Sequence, residues 1–537
     1  MNINPITKLD YPDPDVIRVD DTFYMVSTTM YFFPGCEILK SHDLVNWEHL
    51  SYVYDRLDST PAQKMEGDLN IYGQGMWAAS LRFHDGYFYV VFVANDTQKT
   101  YVYSSEDIHG PWKKKTLEGF YHDNSLLFDD DGKIYIVYGN KEVYIRELRY
   151  ENENDNSVIT DKDCPPEKLI VKDSDEVWLG YEGSHLYKRN GKYYLFMIHI
   201  PKSTGRRSEG CYISDSPYGP YEGRDVMDDT RDYRGSGVAQ GGIVDSPDGK
   251  TYAILFQDSG AVGRIPVLMP VTWEGDFPVF GDKGKIPEKF ETPDLRPGYV
   301  YRPLTGSDDF RHGGESFGFR PFWQFSHEPD LNLISRNRDT GVFTIKTDKV
   351  CKNVVQASNT LTQRTLFPGC IASVELNAEG LNDGDHAGLC ILESCYGYIG
   401  ITKKDSKFYL ERCTRTINTG GIMGERHDRE DPDETEMIEI SVPKVRLYAA
   451  VSFDRKSLPD NPLLPNEDDS AAFFYELSGD GSSSDKSEGP SPEPLGGSHK
   501  LIFKLDHFTG ARFGLFCFSA KEAGGSARFA NFEYIKP

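Results

Sequence analysis

A hairpin pattern that recurs five times in the first half of the chain is the feature that most constrains its fold. Each copy has a leading polar or aromatic residue, a short apolar strand, a turn rich in Asp, Gly or Asn, and an aromatic second strand. Apolar residues that alternate around D-G or N-G turns are typical of β-hairpins. The copies are DPDVIRVDDTFYMV from Asp13, WAASLRFHDGYFYVV from Trp77, DNSLLFDDDGKIYIVY from Asp123, EGSHLYKRNGKYYLFM from Glu182 and QGGIVDSPDGKTYAIL from Gln240.

The spacing of these copies indicates a propeller. Their second strands carry equivalent tyrosines about 46 to 65 residues apart, which leaves room for one four-stranded sheet per copy: Tyr24, Tyr89, Tyr135, Tyr194 and Tyr252. Outer-strand segments such as SHDLVNW, SSEDIHGPW and SDSPYGPY follow most of the hairpins. Five such sheets around one axis form a five-bladed β-propeller. We therefore predict this propeller over residues 1–295.

The repeat also predicts where the chemistry lies. The innermost strands of a propeller line its axis, so residues at equivalent strand starts should meet at one end. The residues that lead the five copies are Asp13, Trp77, Asp123, Glu182 and Gln240. Small or apolar residues would serve a purely structural axis. Three carboxylates, an aromatic ring and an amide in these positions instead predict a functional site in a shallow funnel.

The second half of the chain has a different pattern. Residues 296–309 are rich in turn formers and are predicted to be a connector. Residues 310–537 contain short alternating strands such as GCIASVEL, AGLCILES, RLYAAVSF and KLIFKL, which predict an antiparallel β-sandwich. Residues 415–438 are charged and 478–499 are of low complexity, so we expect loops there, the second one mobile. The predicted fold class is therefore all-β, with a five-bladed propeller followed by a sandwich.

Composition restricts partners and location. The formal net charge of −25 at pH 7 disfavours nucleic acid and anionic membranes but not a neutral substrate. No apolar run is long enough to span a membrane, and the N-terminus lacks an apolar signal core. Nine scattered cysteines are typical of reduced, buried thiols. We expect a cytoplasmic protein without nucleic-acid or membrane partners, and a homo-oligomer stays open.

Several motifs, in their order and spacing, resemble glycoside hydrolase family 43, in particular members with a C-terminal β-sandwich. The resemblance rests on NPITKLDYPDPDVIRVDDTFYMVSTT, HDNSLLFDDDG and EGSHLYKRNGKYY, with support from GAVGRIPVLMPVTW, WQFSHEPD, NTLTQRT and HFTGARFG. It implies that Asp13 is the general base and Glu182 the general acid of an inverting glycosidase. It also implies that Asp123 modulates the pKa of the acid and orients it.

Each of the three carboxylates has a structural interpretation as well. Asp13 could cap a turn in PDPD, where Asp15 is a competing candidate for the base. Asp123 could bond the backbone of its hairpin, and Glu182 could form a buried ion pair with an arginine. The catalytic interpretation requires an ionised base that activates water and a protonated acid that serves the leaving oxygen. An inverting enzyme separates the two carboxyl groups by about 6.5–9.5 Å.

Five further residues are predicted to bind the sugar. We expect Trp77 to form a stacking wall and Arg264, in GAVGR, to donate to hydroxyl groups. The resemblance places Met30 where many xylosidases have a Phe that stacks in the pocket. Phe33, in YFFPG, and Phe508, in HFTGA, could close the rim of the pocket. Alternatively, Arg264 could close the blade, and the aromatic residues could belong to the core.

Gln240 is the predicted metal ligand. Many relatives have a His near this point that approaches a calcium ion in the central channel. An amide oxygen can bind calcium directly or through water, so a structural calcium ion at the propeller axis stays possible. The chemistry itself requires no cofactor.

The predicted reaction is the exo-acting release of terminal α-L-arabinofuranosyl residues from arabinoxylan or arabino-xylooligosaccharides. The STTM and QGGIVD segments resemble a branch of the family that is richer in such enzymes. A β-D-xylosidase acting on xylooligosaccharides, or a bifunctional enzyme, is the alternative. A non-catalytic propeller lectin would be expected to lack a carboxylate, and a protein scaffold would not need acidic residues at equivalent strand starts.

Overall fold

The computed structural model of the protein describes residues 3–152, 155–160, 163–416, 431–477 and 491–537. Regular structure in these ranges is almost entirely β, arranged in seven sheets, so the predicted fold class is confirmed. Five sheets form the blades of a propeller and two form a sandwich. No helix in the described ranges is both long enough and apolar enough to cross a membrane.

The propeller strands run in chain order from blade 1 to blade 5. Blade 1 contains β1 (Asp15–Val19), β2 (Thr22–Val26), β4 (Gly35–Ser41) and β5 (Glu48–Tyr54), while β3 (Phe32–Phe33) joins the sandwich. Blade 2 contains β6 (Met76–His84), β7 (Tyr87–Ala94), β8 (Lys99–Ser105) and β9 (Lys113–Leu117). Blade 3 contains β10 (Ser125–Phe128), β11 (Ile134–Asn140), β12 (Glu142–Asn152), β13 (Asp155–Ile159) and β14 (Lys168–Lys172). Blade 4 contains β15 (Val177–Arg189), β16 (Lys192–Pro201), β17 (Ser208–Ser214) and β18 (Glu222–Met227). Blade 5 contains β19 (Val238–Asp245), β20 (Thr251–Asp258), β21 (Arg264–Glu274) and β22 (Phe277–Phe280).

The sandwich consists of two sheets. The first has the order β3, β23 (Gln324–Ser326), β26 (Leu361–Arg364), β36 (Arg512–Ser519), β28 (Asp385–Leu392), β29 (Gly397–Lys404), β30 (Lys407–Thr414), β31 (Glu434–Ile440). The second has the order β24 (Ile334–Asn337), β25 (Val342–Lys346), β37 (Ser526–Ile535), β27 (Gly369–Asn377), β32 (Lys444–Ser452), β33 (Ser470–Leu477), β34 (Glu493–Pro494). Strand β35 (His499–Lys500) also pairs with β33.

The predicted hairpins are the two inner strands of each blade: β1–β2, β6–β7, β10–β11, β15–β16 and β19–β20. Alternation of apolar residues along them supplies the layers that pack between neighbouring blades. Phe23 and Met25 of blade 1, for example, share a buried cluster with Ile254 and Leu268 of blade 5. This contact closes the ring and brings the starts of the inner strands together at one end.

The propeller and the sandwich share a sheet. Strand β3 lies in a loop of blade 1 and pairs with β23, with Phe33 opposite Phe325. Beside it, Arg364 of the sandwich forms a buried ion pair of 2.7 Å with Glu37 of blade 1. Backbone pairing and a buried charge pair therefore join the two domains at the side of the funnel.

Three predicted segments differ in the structure. The KLIFKL strand does not form beyond Lys500, because the Ile502 N–H donates to the Glu393 side chain and not to a neighbouring strand. Within the predicted loop 415–438, Glu434–Ile440 forms the edge strand β31. In the second predicted loop, 478–499, Glu493–Pro494 forms β34 and His499 begins β35. Residues 417–430 and 478–490 lie outside the described residues, so the mobility expected for the second loop stays a prediction.

Candidate active site

The five leading residues meet at the axis through distorted starts of the inner strands. Asp13, Asp123 and Gln240 have φ values of 52°, 46° and 52°, and Gly183, after Glu182, has a φ of 64°. The β15–β16 ladder shifts register around Glu182, and the β19–β20 ladder shifts at Gln240. Left-handed φ values of non-glycine residues are uncommon, and they cluster at functional sites where the surrounding structure imposes them.

Asp13 is fixed by two hydrogen bonds to its carboxylate. Oδ2 accepts a hydrogen bond of 2.6 Å from Thr28 Oγ1, and Oδ1 accepts one of 2.8 Å from Arg264 Nη1. The residue is only 7% exposed. Burial raises the pKa of Asp13, although the Arg264 guanidinium acts in the opposite direction. The carboxylate is therefore oriented by its partners and only partly compensated in charge.

Glu182 lies across the funnel with one oxygen engaged. Its Oε2 accepts a hydrogen bond from the Asn140 amide and lies 3.3 Å from His122 Nε2. Its Oε1 has no hydrogen-bond partner among the residues that the structure describes. The side chain is 16% exposed, so a ligand in the funnel can reach it. This geometry leaves one carboxyl oxygen available for proton transfer.

Asp123 and His122 complete the group around Glu182. Asp123 Oδ2 lies 3.9 Å from His122 Nε2 and accepts a long hydrogen bond of 3.4 Å from Gln240 Nε2. Burial raises the pKa of Asp123, an effect that His122 opposes and Glu182 reinforces. Burial alone would lower the pKa of His122, but Asp123 and Glu182 raise it to about 9. At neutral pH His122 is therefore a cation between two carboxyl groups.

The wall of the funnel combines rings with unpaired donors. The Trp77 ring lies 5.5 Å from the Phe508 ring, and the Arg264 guanidinium lies 4.4 Å from the centre of the same Phe508 ring. Trp77 Nε1 and the Nε and Nη2 atoms of Arg264 are buried without a hydrogen-bond partner in the described part of the protein. Buried donors are rarely left unsatisfied, so these groups indicate a place for ligand hydroxyls or water.

Arg207 is a third cation of the site, and the sequence analysis missed it. Its Nε donates a hydrogen bond of 2.6 Å to Asp258, and its guanidinium lies 5.1 Å from the Phe256 ring centre. Burial lowers the pKa of Arg207, while Asp258, Glu182 and Asp13 raise it. Arg207 is therefore close enough to Asp13 and Glu182 for the charges of both carboxyl groups to raise its pKa.

Three residues of the site were not predicted from the sequence: His122, Asn140 and Arg207. The first two could have been found from their neighbours in the chain, and the third could not. His122 directly precedes Asp123 and could have been recognised as its neighbour at the strand start. Asn140 ends β11, the partner strand in that hairpin, so a register argument could have suggested it. Arg207 lies just before β17 in no recognisable pattern, and only the closed ring brings it to the site.

Two of the predicted sugar-binding residues lie in the core instead. Met30 is 2% exposed and exchanges two backbone hydrogen bonds with Met76, next to Trp77 in the chain. Phe33 is 1% exposed, and its ring packs 6.1 Å from that of Tyr54. The pairing of β3 with the sandwich buries this segment, so the rim position predicted for Phe33 is corrected. Phe508, in contrast, reaches the funnel.

Asp15, the competing candidate for the base, has a different environment. Its Oδ2 lies 2.6 Å from Arg82 Nη1, and its Oδ1 lies 3.3 Å from His185 Nδ1. The side chain is fully buried. Burial would raise the pKa of Asp15, but Arg82 and His185 lower it to about 2. Asp15 is therefore a structural partner of Arg82.

Two family models together match nearly the whole chain. The model for glycosyl hydrolases family 43 matches residues 3–278, and the model for the beta xylosidase C-terminal concanavalin A-like domain matches residues 307–535. This chain belongs to glycoside hydrolase family 43. It is accordingly a glycoside hydrolase, and the resemblance seen in its sequence is confirmed.

Curated members of family 43 are similar over about three quarters of the chain. A beta-xylosidase of Formosa agariphila is 27% identical over 470 residues, which cover 76% of this chain and 76% of the relative. A putative beta-xylosidase of Xylanibacter ruminicola is 29% identical, with 73% and 71% covered. A non-reducing end alpha-L-arabinofuranosidase of Bacteroides ovatus is 27% identical, with 72% and 73% covered.

Solved family 43 structures share the complete two-domain arrangement. A bifunctional GH43-CE protein of Bacteroides eggerthii is 36% identical with a TM-score of 0.85, and the match covers 99% of this chain. This chain spans only 63% of the length of that protein. A GH43 enzyme engineered to display both endo-xylanase and exo-arabinofuranosidase activity is 25% identical with a TM-score of 0.82, with 100% and 99% covered.

The predicted calcium ligand of this family 43 member, Gln240, engages its nitrogen atoms in hydrogen bonds, and its role as a calcium ligand stays a prediction. The Gln240 amide donates to Asp123, and its backbone N–H donates to Glu209, whose pKa burial raises to about 8. Glu209 is therefore largely protonated at neutral pH. Among the described residues, the converging group of His, Cys, Asp and Glu side chains is His122, Asp123 and Glu182. Calcium takes six to eight oxygen ligands, and this set, which contains a cationic His, does not fit it.

Proposed function

We propose that this family 43 enzyme is an exo-acting, inverting α-L-arabinofuranosidase that releases terminal arabinofuranosyl residues from arabinoxylan and arabino-xylooligosaccharides. The proposal rests on one observation: two carboxyl groups, those of Asp13 and Glu182, approach the same funnel with different hydrogen-bond partners. Asp13 is held by a hydroxyl and a guanidinium, and Glu182 by an amide and an imidazolium.

Asp13 acts as the general base in this proposal. Thr28 and Arg264 each donate to one carboxylate oxygen, and each oxygen keeps a second lone pair. A water bound there gives its proton to Asp13 while its oxygen attacks the anomeric carbon. The two donors hold the carboxylate in one orientation, so the attacking water is positioned before the reaction.

Glu182 acts as the general acid through its unpaired Oε1. Asn140 and His122 hold Oε2, which leaves the opposite oxygen to give its proton to the leaving sugar oxygen. This transfer leaves a carboxylate on Glu182. The adjacent His122 cation, held by Asp123, stabilises the new negative charge. Asp123 therefore acts on the acid both directly and through His122.

Inversion follows from attack by water on the face opposite to the leaving group. The ligand atoms of His122, Asp123 and Glu182 lie within 4.8 Å of one another, and Asp13 is outside this group. Asp13 and Glu182 share no hydrogen-bond partner in the described residues, which suits the wide separation of an inverting pair. Proton NMR of the first turnovers should show the inverted anomer, and a retained anomer would contradict the proposal.

Exo action follows from the covered wall of the funnel. Phe508 comes from the sandwich and contacts both Trp77 and Arg264, so the second domain closes one side of the site. The unpaired donors of Trp77 and Arg264 can bind the hydroxyls of one terminal sugar. On arabinoxylan we expect free arabinose with little early fall in viscosity. A rapid fall with mixed oligosaccharides would indicate an open cleft.

A β-D-xylosidase is the second candidate. Two curated relatives, those of Formosa agariphila and Xylanibacter ruminicola, are named beta-xylosidase and putative beta-xylosidase. The deciding measurement is turnover of p-nitrophenyl α-L-arabinofuranoside and p-nitrophenyl β-D-xyloside by one preparation. A higher kcat/KM on the arabinofuranoside supports the first candidate, a higher value on the xyloside supports the second, and comparable values indicate a bifunctional enzyme.

A control with Glu182→Gln tests the acid itself. Substrates with poor leaving groups depend most on protonation, so the variant should lose far more activity on natural oligosaccharides than on aryl glycosides. An equal loss on both substrates would rule out Glu182 as the general acid.

A further inference from the structure

The rim near the acid carries an exposed indole that the proposed reaction does not use. Trp178 is 72% exposed, whereas the other five tryptophans are buried or half-buried. Leaving so large an apolar ring in water forgoes the free energy that burial would provide. A single exposed apolar residue is by itself common, so its position and surroundings must carry the argument.

The position links Trp178 to the acid. It lies on β15, the strand that carries Glu182, and four residues before it. Strand geometry places the two Cα atoms about 13 Å apart at most. The Lys141 N–H donates to the Tyr181 carbonyl, so the segment that supplies Asn140 to the acid packs against this same strand. The strand therefore leads from the acid to the rim beside it.

The acid faces the leaving group of the substrate. Glu182 gives its proton to the oxygen that stays with the remaining chain, so the rim nearest Glu182 flanks that chain. A polymer that enters the funnel by its terminal sugar must leave over some part of this rim. Trp178 lies on the part that the strand of the acid provides.

Polar groups surround the indole. Lys202 Nζ lies 5.9 Å from the ring centre and donates a hydrogen bond of 3.1 Å to the Asp175 carbonyl. The carboxylate of Asp175 forms an ion pair of 2.6 Å with Lys141. Carbohydrate rings present an apolar C–H face and a polar edge of hydroxyls. An aromatic ring edged by charged donors and acceptors matches both.

We infer that Trp178 is a stacking platform for a sugar of the leaving-group chain, the pentose backbone that remains after the terminal residue is removed. This inference rests on the proposed function only in requiring a pentose oligomer or polymer as the substrate. It does not depend on whether arabinose or xylose is released.

The first test compares two substrates for the Trp178→Ala variant. The kcat/KM on arabino-xylooligosaccharides should fall about 2- to 10-fold, the range expected for the loss of one aromatic stacking partner. The kcat/KM on the better aryl glycoside should not change, because that substrate has no backbone sugars. Trp178→Phe should recover most of the loss. Phe83→Ala, at the opposite end of an inner strand and 42% exposed, is the matched control and should alter neither value.

A binding measurement separates this inference from the proposed reaction. In an Asp13→Asn background, which prevents turnover, calorimetry with unbranched xylohexaose should show weaker binding when Trp178 is also replaced by Ala. Equal affinity with and without the indole would overturn the inference, as would an equal loss of activity on aryl and oligomeric substrates. Absence of turnover on both aryl glycosides would overturn the proposed function, while the binding result would still decide the role of Trp178.

Discussion

Two regions of the propeller axis use buried aspartates in opposite ways. At the funnel, Asp13 has one guanidinium and one hydroxyl as partners, and burial raises its pKa. Two residues further along, Asp15 has Arg82, His185 and the backbone N–H groups of Val16 and Leu81, and its pKa is about 2. The partners of Asp15 therefore compensate its negative charge fully, whereas the partners of Asp13 at the funnel compensate its charge only in part.

This difference teaches that burial alone does not identify a catalytic carboxylate. Both side chains are removed from water, so the number and type of their partners decide what each can do. A general base must keep a lone pair and bind a proton during the reaction, which a saturated ion pair cannot do. Two buried donors of Arg264 have no partner among the described residues, which indicates that water or a ligand completes the funnel.

Asp13→Asn should have the largest effect of any single change at the funnel. We expect kcat to fall roughly 10²- to 10⁴-fold or more, because an amide cannot accept the proton of the attacking water. The free energy of unfolding should stay the same or increase, because the replaced carboxylate is buried and its pKa is raised. Turnover assays combined with urea denaturation would check both parts. Loss of stability together with activity would make Asp13 a structural residue.

Asp15→Asn should show the reverse pattern. Breaking a buried ion pair leaves Arg82 uncompensated, so we expect the free energy of unfolding to fall by about 3–5 kcal/mol. Molecules that remain folded should retain most of their turnover, because Asp15 does not face the funnel. Denaturant midpoints and turnover per folded molecule would be measured side by side. A stable but inactive variant would instead return Asp15 to the list of candidate bases.

Arg264→Gln should change the pH dependence of kcat/KM through its effect on the pKa of Asp13. The guanidinium holds down the pKa of Asp13, so its removal should raise that pKa further. Activity requires ionised Asp13 and is lost as pH falls through this pKa, so the acidic limb of the kcat/KM profile should move to higher pH. Arg264→Lys, which keeps the charge, should move the limb less. An unchanged limb would show that another group controls it.

The smallest expected effect concerns His122 and stability at alkaline pH. The pKa of His122 is raised from 6.5 to about 9, so its stabilising contribution is complete below pH 6.5 and is lost as pH rises through 9. His122→Gln should remove on the order of 3 kcal/mol of this pH dependence. His199, whose pKa is also about 9 because of Asp173 and Asp225, gives a matched control through His199→Gln. Only the His122 change should also reduce turnover, and equal losses of turnover in the two variants would contradict its place beside the acid.

Local sequence was sufficient for the blades and for the convergence of the leading residues. Alternating apolar residues and D-G or N-G turns specify each hairpin, and repetition of that unit specifies the ring. Asp13, Trp77, Asp123, Glu182 and Gln240 occupy the same place in the unit, so the ring brings them together without further information.

Residues whose position depends on contacts between distant segments could not be predicted in this way. Phe33 and Phe508 are both aromatic residues in loops, yet the pairing of β3 with β23 buries the first, and the end of the strand at Lys500 brings the second to the funnel. Arg207 precedes β17 of blade 4, the blade that carries Glu182, and it reaches the site through its hydrogen bond to Asp258 at the end of β20 in blade 5. No periodic pattern in the sequence predicts the positions of these three residues.

The pairing of β3 with β23 has a consequence for the order of events during synthesis. Blade 1 is translated long before Phe325, so Phe32 and Phe33 must remain without their strand partner until the sandwich emerges from the ribosome. Until then the loop presents an unpaired strand edge and two apolar rings, features that favour association with other chains. Phe508 arrives later still. A nascent chain therefore cannot possess the finished funnel wall before Phe508 emerges, and a premature stop before Phe325 would leave the apolar loop of blade 1 without its strand partner.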